Sequence, residues 1–144
     1  MLPAIMLAAL LSQFPTADAK VQDLAALDGT WKPTSAQRGD LESSEEELER
    51  QRMTIRNSRY WVPSGKREGY KPNLVEIRID ATKTPKHIDF VVVEGPNVGM
   101  TELGIYELNG DELKVCSGKS RPTKFEARVD DWNALVVTYQ RVKP

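Results

Sequence analysis

Residues 106–115 read YELNGDELKV, and this stretch decides the fold class. Apolar and charged residues alternate on both sides of Asn109-Gly110, a dipeptide typical of a tight β-hairpin turn. The alternation recurs outward from this hairpin, at residues 75–80 (VEIRID), 88–93 (IDFVVV) and 134–142 (ALVVTYQRV). Each stretch predicts a strand with one apolar face, and the short connections predict antiparallel neighbours.

The N-terminal half of the chain continues this pattern. Residues 29–37 predict the first strand, and residues 53–55 and 60–62 predict two more strands on either side of a turn at Asn57-Ser58. The whole chain therefore predicts an all-β domain of about eight antiparallel strands. Such strands can close into a barrel or stack as a β-sandwich, and periodicity alone does not choose between the two.

One short helix interrupts the strands. Residues 42–51 (ESSEEELERQ) form the only convincing helical segment, which Ser43 or Ser44 can cap. Leu48 is its single apolar anchor, so we expect a surface helix after the first strand and not a core element.

Three residues favour the barrel over the sandwich. Gly29 and Trp31 lie at the start of the first strand, and Arg141 lies near the end of the last. This arrangement resembles the signature of lipocalins and related calycins, in which the indole covers the closed end of the barrel and the arginine packs on it. A guanidinium over an indole can contribute about 0.5–2 kcal/mol, and the pair would latch the first strand to the last.

Short blocks spread over most of the chain carry a narrower resemblance. They are residues 27–32 (LDGTWK), 83–89 (KTPKHID), 94–97 (EGPN), 104–108 (GIYEL), 113–116 (LKVC) and 121–125 (RPTKF). In order and spacing they resemble a small uncharacterised lipocalin-like domain typical of planctomycetes, which commonly follows a signal peptide. The resemblance implies a fold and export. It implies no activity, because the family has none agreed.

The N-terminus predicts the compartment. Residues 1–11 (MLPAIMLAALL) form an apolar run too short for a membrane span, which needs about 20 residues. The small-x-small triplet Ala17-Asp18-Ala19 is typical of a signal peptidase site. We therefore predict a signal peptide over residues 1–19 and one domain over residues 20–144, exported to the periplasm or the medium. The alternative is an N-terminal helix of a cytosolic protein, since no Lys or Arg precedes the apolar run.

Composition narrows the partners and cofactors. The 144 residues include 20 Lys and Arg against 21 Asp and Glu, a formal charge of −1. No single-sign field of the kind that attracts nucleic acid or an anionic membrane is expected. One Cys and one His cannot form a disulfide or a Cys/His zinc cluster within one chain. We expect no metal and no cofactor.

No catalytic residue is predicted. His87 and Cys116 are the only imidazole and the only thiol, and they fall on strands that are not expected to bring them together. We expect residues 118–128 to cover Cys116 and to leave it inert. The alternative is an intermolecular disulfide that would link two otherwise monomeric chains.

The barrel interior is the remaining candidate site. Alternation predicts an apolar, bulky set of inward residues: Trp31, Met53, Ile55, Val75, Ile77, Ile79, Ile88, Phe90, Val92, Leu113, Val115, Leu135, Val137 and Tyr139. A filled core is the favoured interpretation. If a pocket exists, we expect it at the end of the barrel opposite Trp31, and we expect its ligand to be apolar. Its candidate lining or rim residues are Tyr60, Trp61, Tyr70, Phe90 and Tyr139.

Together these observations predict a non-enzymatic, exported, lipocalin-like binding module. Its partner would be a small apolar molecule or a protein of the cell envelope. The competing hypothesis is a structural or interaction domain with a solid barrel. A cavity above roughly 300 Å³ would favour the first, and a fully packed interior the second.

Overall fold

The computed structural model describes residues 17–65, 69–130 and 133–144. Nearly all of the predicted signal peptide, residues 1–16, lies outside the described residues. The elements are α1 (Ala17–Leu27), β1 (Gly29–Arg38), β2 (Leu41–Glu42), α2 (Glu45–Glu49), β3 (Met53–Ile55), β4 (Arg59–Val62), β5 (Asn73–Asp80), β6 (Lys86–Glu94), β7 (Thr101–Asn109), β8 (Glu112–Gly118) and β9 (Leu135–Arg141). The prediction of an all-β fold with a short helix after the first strand is confirmed.

All the strands belong to one antiparallel sheet that curls on itself. Its order is β2-β1-β9-β8-β7-β6-β5-β4, and β3 pairs with the free edge of β1. A tight turn with positive φ at Asn57 (51°) and Ser58 (64°) leads from β3 to β4, closed by a bridge between Arg56 and Arg59. The sheet therefore returns to its own beginning at this turn. A single curled sheet fits the barrel and not the β-sandwich alternative.

The predicted hairpin at residues 106–115 is present, with its turn one residue later than the Asn-Gly dipeptide indicates. Asn109 pairs with Glu112, so Gly110 and Asp111 form the two-residue loop. Gly110 takes the left-handed conformation (φ 61°) at the first loop position, where a type II′ turn requires glycine.

Helix α2 is present as a capped surface turn of helix, but it spans only Glu45–Glu49 of the predicted residues 42–51, and Glu42 belongs to β2. Helix α1 was not predicted. Ser44 caps α2 in a capping box with Glu47, and Leu48 is buried. Helix α1 packs on the core through Leu27 and Leu24 alone, so its amphipathic pattern is weak. The expectation that residues 42–51 hold the only helix is therefore wrong, since α1 is a second one.

The inward-facing residues form the core as alternation predicts. Trp31, Ile55, Ile77, Ile88 and Leu113 belong to one buried cluster. Two members of that cluster were missed, Leu27 from α1 and Tyr106 from β7.

Candidate functional site

The end of the barrel that contains Trp31 is closed and solid. Trp31 has no exposed surface, and its indole Nε1 donates to the Leu27 carbonyl oxygen at 2.9 Å. The Arg141 guanidinium carbon lies 4.3 Å from the indole centroid, which is cation–π geometry. Trp31 and Arg141 are also paired across β1 and β9. The first and last strands therefore meet at this pair.

Arg141 makes more contacts than the indole stack. Its Nη1 donates to the Asp28 carbonyl oxygen at 2.7 Å, its Nη2 to the Ala26 carbonyl oxygen, and its Nε to Asp111 Oδ1 at 3.1 Å. The two carbonyls lie at and just after the end of α1, where helix carbonyls lack internal partners. Gly29 leaves room for this, because a Cβ there would lie 2.7 Å from Arg141 Nη1, and its φ of +131° also favours glycine.

Helix α1 is tied to the same end by Asp23. The Tyr106 hydroxyl donates to Asp23 Oδ2 at 2.6 Å, and Lys86 Nζ donates to the same oxygen at 2.8 Å. Burial, and next the hydrogen bond to Asp23, raises the pKa of Tyr106 above its ordinary value. These contacts therefore fix α1 against the closed end of the barrel.

The interior beyond Trp31 contains a cavity of about 170 Å³. It extends from Leu27 toward Glu102, Ser117 and Leu135, at the opposite end of the barrel. The full lining is Leu27, Met53, Ile55, Tyr60, Ile77, Ile88, Phe90, Glu102, Leu113, Val115, Ser117, Leu135, Val137 and Tyr139. Most of these side chains are apolar, and they include three of the predicted candidates.

Polar groups of the cavity gather at its outer part. Ser117 Oγ donates to Glu102 Oε2 at 3.2 Å, and Tyr60 and Tyr139 also line the space. Burial, followed by the charge of Glu102, raises the pKa of Tyr139 to about 12. Burial also raises the pKa of Tyr60, and the charges of Tyr139 and Glu102 add to that effect. Both phenols therefore remain protonated at neutral pH.

Glu102 was not predicted because both faces of β7 are buried at residues 104–106, which hides the inward side of the strand. Ser117 was also not predicted, although it continues the alternation of Leu113 and Val115 on β8. Ile105 is 1% exposed but does not belong to the core cluster, while Tyr106 beside it does. Apolar residues occur on both sides of β7, so the sequence does not show which side faces the interior. In the folded sheet Tyr106 pairs with Val115, which belongs to the core, so the side of β7 that carries Tyr106 faces the interior.

A second space lies outside the inner cavity, and we call it the outer groove. Its volume is about 380 Å³, and it shares Tyr60, Phe90 and Glu102 with the inner cavity. The Tyr60 and Phe90 rings meet edge to face, with centroids 6.4 Å apart and planes at 83°. These shared side chains form the boundary between the two spaces.

The start of β5 and the turn between β6 and β7 are tied together beside the outer groove. Asn73 Nδ2 donates to Asn97 Oδ1 at 2.9 Å, and the Asn97 backbone N–H donates to Asn73 Oδ1 at 3.0 Å. Gly95 (φ +114°) permits this approach, because a Cβ there would lie 2.6 Å from Asn73 Oδ1. Two reciprocal hydrogen bonds therefore fix the turn between β6 and β7 against the start of β5 at this side of the outer groove.

Two of the predicted rim residues do not line the inner cavity or the outer groove. Trp61 is 56% exposed and borders a lateral cleft that also contains Arg50 and Arg52. The lateral cleft shares Met53, Tyr60 and Tyr139 with the inner cavity. Tyr70 is 58% exposed and lies beside Gly65. The structure therefore places both residues outside the linings of the inner cavity and the outer groove.

Cys116 lies under the segment of residues 118–128. Its thiol is fully buried, and Sγ lies 3.9 Å from the Glu126 carbonyl oxygen. Arg121 holds this segment on the sheet, donating to the Gly104 carbonyl oxygen at 2.7 Å and pairing with Asp89 Oδ1 at 2.8 Å. An intermolecular disulfide through Cys116 would require this segment to move away.

His87 and Cys116 lie on strands that are not neighbours. Each pairs with Ile105, from opposite sides of β7. Two strand spacings separate them by roughly 10 Å, beyond the reach of a hydrogen bond. The described part of the chain also contains no group of three or more His, Cys, Asp or Glu placed to hold a metal ion.

Comparisons with known proteins add no relative. No family model, no curated protein and no solved structure matches the chain. The resemblance to lipocalins and to the planctomycete domain therefore stays a prediction, carried by the residues quoted above. Among the described residues, no helix is long and apolar enough to cross a membrane.

Proposed function

We propose that this protein binds one small, largely apolar molecule inside the barrel and does not convert it. The observation that carries the proposal is the inner cavity of about 170 Å³, whose walls are mainly Ile, Leu, Val and aromatic side chains. Such walls favour an apolar ligand, because burying its apolar surface stabilises the complex by about 25 cal/mol per Å².

The volume limits the guest. An apolar cavity of roughly 150 Å³ can hold benzene, whereas pockets for drug-sized ligands measure about 300–1,000 Å³. The inner cavity alone therefore suits a molecule with about one ring. A longer guest would have to pass between Tyr60 and Phe90 into the outer groove, whose volume is about 380 Å³.

The absence of turnover in this proposal rests on geometry. The imidazole of His87 and the thiol of Cys116 lie outside the inner cavity, whose lining includes neither. The polar side chains that do face the guest, Tyr60, Tyr139, Ser117 and Glu102, suit hydrogen bonding. The tyrosines are poor bases at neutral pH because they stay protonated.

We also propose that the protein is exported and that its mature form begins at Lys20. The contacts of α1 described above come from Asp23, Leu24, Ala26 and Leu27, all of which follow Ala19. Cleavage after Ala19 therefore leaves these contacts intact. N-terminal sequencing of protein isolated from its own cells tests this proposal, and an intact Met1 on soluble protein would overturn it.

A second candidate function is a structural or interaction domain of the cell envelope. The inner cavity is smaller than ordinary ligand pockets, which favours this candidate. The exposed Trp61 and Tyr70 would then supply contact area for a partner protein.

Toluene is the probe that separates the two candidates. We expect it to perturb the methyl NMR signals of Ile77, Ile88 and Leu113, which line the inner cavity. Leu135→Phe should fill the outer part of the cavity and abolish the perturbation. Val91→Phe is the matched control, because Val91 lies on the opposite face of β6 from Phe90.

Methyl signals that toluene leaves unchanged in the unsubstituted protein would favour the solid interaction domain. Native mass spectrometry of protein from its own cells would then be expected to show no retained small molecule. Retention of the perturbation in Leu135→Phe would contradict the placement of toluene in the outer part of the cavity.

A further inference from the structure

We infer that the guest of the barrel is a small organic cation, an amine whose apolar body fills the inner cavity and whose ammonium lies beside Glu102. The inference rests on the proposed binding function and names the chemical class of its ligand.

The first argument is the charge of the site. Glu102 is the one charged side chain among the residues that line the inner cavity, and also among those that line the outer groove. No Lys or Arg of the described chain lies within ion-pair distance of Glu102. Its carboxylate accepts the hydrogen bond from Ser117 and leaves further acceptor sites for a ligand.

The second argument is the contrast with other carboxylates that face the sheet and its closed end. Asp23 is paired with Lys86, Asp89 with Arg121, and Asp111 with Arg141. Each of these acids has a basic partner within the chain. Glu102 is exposed near the start of β7 and has no basic partner among the described residues. Other exposed acids such as Glu94 also have none, but among the acids Glu102 alone lines both the inner cavity and the outer groove.

The third argument is the aromatic surroundings of the carboxylate. Tyr60 and Phe90 share both spaces with Glu102, and Tyr139 lines the inner cavity. Aromatic faces attract ammonium groups, and protonated phenols can accept a hydrogen bond from N–H. A carboxylate among aromatic rings is a common way to bind an amine and is unfavourable for an anionic ligand.

The lateral cleft does not offer the same environment. It is bordered by Arg50 and Arg52, which would repel a cation. Arg50 pairs with Glu46, and Arg52 donates to the Glu49 carbonyl oxygen at 3.0 Å. A cation would therefore be expected to enter at the Glu102 end.

Three probes of nearly equal shape test the inference: benzylamine, benzyl alcohol and benzoate. Titrations followed by the methyl signals of Ile77, Ile88 and Leu113 report binding inside the cavity, separately from binding at surface acids. We expect benzylamine to bind at least tenfold more tightly than benzyl alcohol, and benzoate not to bind. Raising the salt concentration should weaken the binding of benzylamine and leave the binding of benzyl alcohol unchanged.

Glu102→Gln is the deciding variant, since it removes the charge and keeps the shape. It should reduce benzylamine affinity to the level of benzyl alcohol. Glu94→Gln is the matched control, because Glu94 is exposed at the end of β6 and lines neither space. Glu102→Asp keeps the charge and should keep part of the preference for benzylamine over benzyl alcohol. Urea unfolding of each variant checks that the fold is unchanged.

The outcomes separate the two proposals. If benzyl alcohol enters the cavity and benzylamine binds no more tightly, or if Glu102→Gln keeps the preference, the ligand is not a cation and the binding function stands. If none of the three probes perturbs the cavity methyl groups, the binding function fails, and this inference fails with it.

Discussion

The two ends of the barrel are built on different principles. At the closed end, Trp31 is fully buried, its N–H is bonded, and Arg141 is bound to carbonyl groups and to Asp111. At the open end, Glu102 has no basic partner in the described chain, and Trp61 is 56% exposed. One end is complete without a ligand, and the other leaves space and hydrogen-bonding capacity unused. Stability and the proposed binding are therefore expected to separate along the barrel axis.

The sharpest test of that difference is Trp31→Ala. Removing a buried tryptophan from a core typically costs about 3–5 kcal/mol. The loss would also leave the Leu27 carbonyl oxygen without its indole partner, which is 2.9 Å away. We expect a large decrease in the free energy of unfolding in urea, large enough to unfold a marginal domain. A decrease below about 1 kcal/mol would contradict the view that this end holds the barrel together.

Arg141→Ala should have the next largest effect. Hydrogen bonds to a charged group contribute about 1.5–3 kcal/mol, and several are lost together with the indole contact. Combined with Trp31→Phe, the two changes should be non-additive by about 0.5–3 kcal/mol, because the side chains touch. A double-mutant cycle by urea unfolding measures this coupling energy. Arg78→Ala is the control, since Arg78 is 61% exposed in its pair with Glu76 and should cost about 0–1 kcal/mol.

Alkaline pH tests the buried phenols at both ends. Burial raises the pKa of Tyr60, Tyr106 and Tyr139 above the ordinary value of 10.0. Below pH 10 both states keep these protons, and the phenols do not affect stability. Above pH 10 the unfolded chain loses protons that the native state retains, so stability falls, by about 1.4 kcal/mol per pH unit for each tyrosine.

For Tyr139 this loss should continue to about pH 12, its folded pKa. Urea unfolding between pH 9 and 11.5 measures the slope. Tyr139→Phe should make the slope shallower, and Tyr70→Phe is the matched control because Tyr70 is 58% exposed. An unchanged slope in Tyr139→Phe would show that this phenol is not buried in solution.

The smallest effect is expected at Trp61, the exposed counterpart of Trp31. Trp61→Ala should change the free energy of unfolding by at most about 0.5 kcal/mol, because surface positions away from special contacts are tolerant. It should also leave toluene binding unchanged, since Trp61 does not line the inner cavity. A loss of binding in this variant would move the site toward the lateral cleft.

Patterns in the sequence were enough to predict the main strands, the capped helix and the contact between Trp31 and Arg141. Alternation reports the two faces of a strand, Gly110 permits a tight turn, and Ser44 with Glu47 caps a helix through contacts three residues apart. The pair of Trp31 and Arg141 was predicted from the resemblance to the lipocalin signature, and the structure places the two residues opposite each other on β1 and β9.

Tertiary structure alone decided the site. The place of Glu102 beside the cavity depends on how β7 pairs with its neighbours, because residues 104–106 are buried on both faces and the alternation within the strand is therefore ambiguous. The docking of α1 depends on a hydrogen bond between Asp23 and Tyr106, which are 83 residues apart. The volume of the inner cavity depends on how side chains from distant strands meet in the interior. A sequence lists the side chains that line a cavity, but its volume is the space they leave when they pack, and that is determined only when all the strands are in place.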